Sequence, residues 1–110
     1  MQSERPVMLN LRNLKKGNFM IHVYTGEGKG KTSAALGMAM RACGHGWSVL
    51  MIQFLKNQPG SGALQMSRCI PNLEIVQFGR GDFLAADSLT DEDRLLVSRG
   101  FELARKAVLE

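Results

Sequence analysis

Several functional classes require residues that this chain largely lacks. Its 110 residues hold two cysteines, Cys43 and Cys69, and they form no Cys-x-x-Cys pair. A thiolate zinc site is therefore not expected, and the two read as buried free thiols in a reducing compartment. One tryptophan and one tyrosine leave few rings for stacking on bases, and no lysine or arginine run exceeds two residues. Nucleic-acid binding draws on basic grooves with aromatic platforms, so no nucleic-acid partner is expected. No stretch reaches the roughly 18 apolar residues of a membrane span. Glu4, Arg5 and Pro6 come early, and no long apolar run follows them, so no signal peptide is read. Cytoplasmic location without a membrane partner is the expectation.

What remains suits one small domain. Apolar residues make up 45% of the chain, and the net charge is +4. Such a basic excess fits a polyphosphate ligand as well as a nucleic acid.

The most informative stretch is Met20 to Ala42, MIHVYTGEGKGKTSAALGMAMRA. An apolar, β-branched strand over Phe19–Tyr24 leads into a loop with glycines at alternate positions, Gly26, Gly28 and Gly30. Lys31 and Thr32 then open a helix to about Cys43, with Gly44 as its expected C-cap. Glycines let the backbone turn its N–H groups inward, and a helix N-terminus adds partial positive charge at the same point. Lys31 would set an ammonium on phosphates, and Thr32 would offer a hydroxyl to Mg²⁺. The strict pattern G-x-x-x-x-G-K-[ST] has Thr25 at its first glycine. The loop is either a threonine variant or one residue shorter.

A second strand is read over Ser48–Phe54 and a third over Leu73–Phe78, with a short helix over Ala63–Cys69 between them. Five apolar residues in Ser48–Phe54 predict burial on both faces, as in a parallel sheet. The helix between the first two strands makes a βαβ unit. Thr90, with Asp93 three residues on, reads as a capping box for a final helix. Its apolar stripe is Val97, Phe101, Ala104 and Val108, joined by Leu96, Leu103 and Ala107. The N-terminal segment, 1–18, is polar and basic, with a helical turn read near Leu9–Lys15 or a frayed end. Residues 19–110 form the nucleotide-binding domain in this reading. His22 reads as a core histidine or a ligand. Arg41, in the last turns of the first helix, complements the helix dipole or contacts nucleotide.

The run TGEGKGKTSAALGMAMRACGHG, followed by a strand ending Gln53-Phe54-Leu55-Lys56, resembles the P-loop ATP:corrinoid adenosyltransferases. The resemblance covers Val23 to Lys56. It implies an α/β fold of P-loop NTPase (RecA-like) type: a three-layer sandwich with a mainly parallel sheet, incomplete in this chain. The implied reaction transfers the 5′-deoxyadenosyl group of ATP to the cobalt of a reduced corrinoid, cob(I)alamin or a precursor, and releases triphosphate. Gly26, Glu27, Gly28, Lys29, Gly30, Lys31 and Thr32 would hold ATP. Lys31 and Thr32 would act on the leaving group, and Thr32 would ligate Mg²⁺. Arg41 would be a further ATP contact. Phe83 is the residue that the resemblance places on the corrinoid side, against its alternative as a hydrophobic plug. An electron donor such as a flavoprotein is implied, and a homodimer is compatible.

The chain ends at Glu110 within a helical pattern that has no stop signal, which with the resemblance reads as a C-terminally truncated member. Later strands of the family lie between the first two strands read here, so a gap or a different strand order is expected. Two rival functions stand beside the enzyme. One is an ATP-binding module that is catalytically incomplete. The other is a generic P-loop NTPase, which would release orthophosphate.

Overall fold

A computed structural model describes residues 6–25, 30–80 and 90–109. The elements in chain order are β1 (Val7–Asn13), β2 (Asn18–Tyr24), α1 (Lys31–Gly44), β3 (Ser48–Phe54), α2 (Gly62–Ser67), β4 (Leu73–Phe78) and α3 (Asp91–Leu109). The strands form one sheet in the order β2-β1-β3-β4.

The position of β1 departs from expectation. The segment read as a helical turn or frayed end is a strand near the middle of the sheet, antiparallel to both neighbours. The leucines that suggested a helix fall on a period of two instead. Val7, Leu9 and Leu11 lie on one face, and Met8, Asn10 and Arg12 on the other. A turn over residues 14–17 folds β1 onto β2, with Gly17 at φ 70 and its N–H donating to the Asn13 carbonyl at 2.9 Å. That left-handed residue is what a short hairpin loop requires. The strand fills the gap expected between β2 and β3. Every backbone polar group in its middle can then pair sideways, which makes burial affordable.

The sheet is accordingly mixed. β3 and β4 pair in parallel, and β2 shares their direction because β1 opposes both β2 and β3. The parallel character expected from the sequence holds for these three strands and fails at β1.

Helices cover both faces, giving three layers. Ala35 and Ala39 of α1 pack on Val7, Leu9, Leu11, Val49, Met51 and Leu73. Ala104 of α3 packs on Met8, Ile52 and Phe54 on the opposite face. Small residues let both helices approach the sheet closely. At Gly100 the approach is closest: an added Cβ would run into the Phe54 ring and lie 3.2 Å from Phe78. Phe101, read as part of the buried stripe, is 60% exposed, although its ring lies 5.0 Å from that of Phe54. The rest of the stripe holds, with Ala104 buried and Leu96, Val97, Leu103, Ala107 and Val108 half-buried, and Asp93 and Gly100 are buried beside it.

Two smaller corrections concern α1 and the thiols. The helix runs through Gly44, its C-cap is His45, and Gly46 takes the left-handed conformation at φ 85. Asn72 then stitches this end to β4, donating to the carbonyls of Cys43 at 3.2 Å and Trp47 at 2.6 Å. Cys43 is half-buried, and burial pushes its thiol pKa up. Cys69, expected to be buried, is exposed.

Candidate functional site

The carboxyl ends of β2, β3 and β4 share one edge of the sheet, and three features converge there. The first is the start of α1. Gly30 is its N-cap at φ 99, a conformation that a residue with a Cβ rarely adopts, and its carbonyl accepts from the Ala34 N–H at 2.8 Å. The helix has no capping side chain and no acid in its first turn. By contrast, α3 starts with Asp91, Glu92 and Asp93. Among the described residues, the first turn of α1 thus carries no carboxylate against its N-terminal charge, whereas that of α3 carries three.

The second feature is the end of β3. Gln53, 1% exposed, donates from Nε2 to Thr32 Oγ1 at 3.3 Å. Its Oε1 accepts from Gln77 Nε2 of β4 at 2.9 Å, and Gln77 Oε1 accepts from the backbone N–H of Gln58 at 2.7 Å. The strand is followed at once by Leu55 at φ 58, a left-handed non-glycine residue. Its N–H donates to the Phe78 carbonyl at 2.6 Å. Gly79 permits this crossing of chains, since a Cβ there would lie 2.6 Å from the Leu55 carbonyl carbon.

The third feature is the ion pair that ties β4 to α3. Arg80 donates from Nε and an Nη to the two Asp93 oxygens at 2.7 and 3.0 Å. Asp93 also accepts from the Thr90 N–H at 2.8 Å, and its own N–H donates to Thr90 Oγ1 at 3.2 Å. The capping box read from the sequence is therefore formed, with Arg80 added. The Arg80 bond first, and then the Thr90 backbone bond, lower the Asp93 pKa to about 2. The sequence reading did not join Arg80 to Asp93, because only folding brings the end of β4 against the first turn of α3.

Of the candidate residues, Gly30, Lys31 and Thr32 stand together at this edge. Arg41 lies in the last turn of α1. At 1.5 Å rise per residue that is about 15 Å along the axis from Lys31, so the fold does not bring it to the loop. Gly26, Glu27, Gly28, Lys29 and Phe83 lie outside the described residues. His22 is half-buried, with its ring stacked 6.5 Å from that of Tyr24. Among the described residues, no group of three or more His, Cys, Asp or Glu side chains could hold a metal ion. No helix there is long and apolar enough to cross a membrane.

Gln53 stands in the sequence only as part of the run that carries the family resemblance, and neither it nor Gln77 was among the candidate site residues. The signal was present: two polar residues interrupt apolar strands one residue before their carboxyl ends.

Helices on both faces of a sheet whose parallel strands end beneath a glycine-opened helix define an α/β protein of the open-sheet class. Ligands in that class sit at this edge. Comparison with known proteins narrows the class. The model of the family described as ATP:corrinoid adenosyltransferase BtuR/CobO/CobP matches residues 17–110, and the chain belongs to that family. Corrinoid adenosyltransferase CobA of Salmonella typhimurium is 60% identical over 37 residues, covering 34% of this chain and 19% of that protein. Corrinoid adenosyltransferase of Pseudomonas aeruginosa is 40% identical over 57 residues, 52% of this chain and 27% of that protein. An uncharacterized protein of Nostoc sp. is 37% identical over 101 residues, 80% of this chain and 27% of that protein. The chain thus spans about a fifth to a quarter of these relatives. No solved structure matches it.

Proposed function

We propose that this chain carries the ATP-holding part of a corrinoid adenosyltransferase. The observation that carries the reading is the uncapped start of α1, with Gly30, Lys31 and Thr32 at the carboxyl edge, in a member of this family. In the proposed reaction the cobalt of cob(I)alamin or a precursor gives an electron pair to C5′ of ATP. The C5′–O bond breaks, and triphosphate leaves with its electrons. Protein groups then have one main task, to stabilise negative charge that grows on the leaving oxygen. Backbone N–H groups of residues 26–30 and the Lys31 ammonium do so electrostatically, with no acid–base pair required. Phe83 remains in the proposal as a corrinoid contact, and Arg41, about 15 Å along α1 from Lys31, only as a contact to a part of ATP away from the triphosphate.

Thr32 supplies one neutral hard oxygen. That donor suits Mg²⁺ carried largely by phosphates and water rather than a metal caged by protein. When bound, the ion would offset phosphate charge. A flavoprotein electron donor, a homodimer that covers the β2 edge, and cytoplasmic location belong to the same reading.

Calorimetric titration of ATP with Mg²⁺ into the wild-type chain and a Lys31→Ala variant tests it. Saturable binding is expected in the first and at least about tenfold weaker binding in the second, the loss of a charged hydrogen bond. Equal affinity would sink the assignment of the loop. Product analysis with reduced corrinoid separates the rivals. Triphosphate marks the transferase, orthophosphate a general NTPase, and binding without turnover a module that only holds ATP.

A further inference from the structure

The glutamine chain beneath α1 has a direction, and the direction is set by the backbone. The N–H of Gln58 can only donate, so the atom of Gln77 that faces it at 2.7 Å must be the carbonyl oxygen. The amide nitrogen of Gln77 therefore faces Gln53, and only Gln53 Oε1 can accept from it at 2.9 Å. That leaves Gln53 Nε2 pointing at Thr32 Oγ1, 3.3 Å away. Flipping Gln77 would set donor against donor at Gln58 and acceptor against acceptor at Gln53, and flipping Gln53 would set donor against donor at Gln77, so the orientation of both amides follows from one peptide N–H.

Thr32 is then constrained in a specific way. Its hydroxyl faces an NH₂ group and cannot donate in that direction. One lone pair is engaged by Gln53, which leaves one lone pair and the O–H proton for the ligand side. A hydroxyl that ligates a cation while donating to a phosphate oxygen needs this arrangement. An unrestrained hydroxyl would have to be ordered on binding.

We propose that Gln53 and Gln77 are positioning residues that orient the Thr32 hydroxyl for the cation of a metal–nucleotide complex, and that they couple it to the loop after β3 through Gln58. The proposal rests on the reading of Thr32 as a phosphate-loop residue. Gln77 touches neither Thr32 nor α1 in this network, so an effect of Gln77 on cation binding reports the coupling itself.

The test uses the full chain as wild type, Gln53→Met and Gln77→Met. ATP affinity is measured by calorimetry without Mg²⁺, and the Mg²⁺ midpoint is then measured at fixed ATP. The relay predicts unchanged affinity without Mg²⁺, and a midpoint raised about three- to tenfold in both variants, the worth of one net hydrogen bond. A buried amide with only a structural role would weaken binding equally with and without Mg²⁺, and that result overturns the proposal. Wild-type midpoints in both variants overturn the relay while leaving the ATP reading intact. No saturable ATP binding in the wild type overturns both. Gln53 is fully buried, so should Gln53→Met fail to melt cooperatively, half-buried Gln77→Met decides by the same criteria.

Discussion

Replacing Leu9 by alanine tests the least expected feature of the fold, a buried strand in the N-terminal segment. Leu9 is 0% exposed, sits opposite His22 on one side and Met51 on the other, and faces α1. The substitution removes three carbons at about 0.8 kcal/mol each, a transfer loss of about 2.4 kcal/mol. Neighbours on two strands and a helix can collapse only partly into the space, so a cavity term brings the total to about 2–5 kcal/mol. A domain of this size has about 5–15 kcal/mol in all, so the loss is a large fraction. Urea unfolding followed by circular dichroism should show a lower midpoint at unchanged slope, and Tm should fall by about 10 °C or more. Leu14→Ala is the matched control. Leu14 is 69% exposed in the adjoining turn, and its loss should stay within about 0.5 kcal/mol. A frayed N-terminal segment would make the two variants alike. Leu9→Ala within about 0.5 kcal/mol of wild type would refute the placement of β1.

Acid sensitivity should follow Asp93. Its folded pKa of about 2 lies below the ordinary 3.8, so its stabilising share is complete above about pH 4 and is lost as pH falls toward 2. Asp93→Asn should flatten that part of a stability-versus-pH curve, and an unchanged acid limb would contradict the assignment. Gly79→Ala should cost about 1–3 kcal/mol in thermal or urea unfolding, because the new methyl meets the Leu55 backbone rather than a movable side chain. A cost near zero would mean that the β3 and β4 ends separate easily.

Elements whose signals are local were legible before any tertiary contact was known. The bounds of β3 and β4 were readable to the residue from their apolar, β-branched runs, with Gly46 ahead of β3 and Pro71 and Gly79 around β4. The α1 start and the Thr90–Asp93 box were equally plain, since cap chemistry acts within one turn. Family membership was legible from the glycine loop and the residues that follow it, and the match over residues 17–110 supports it.

Tertiary structure decided the rest. Val7–Asn13 reads as a helical turn or a frayed end from its sequence, and it is neither, because strands β2 and β3 offer hydrogen bonds on either side. Helical propensity in the segment cannot compete with that pairing and with burial of Val7, Leu9 and Leu11 under α1. The same holds for Arg80 with Asp93 and for Thr32, Gln53 and Gln77. These partners stand 13 to 24 residues apart in the chain. No sequence period links them, and only the parallel alignment of β3 with β4 beneath the first turn of α1 sets their side chains within reach.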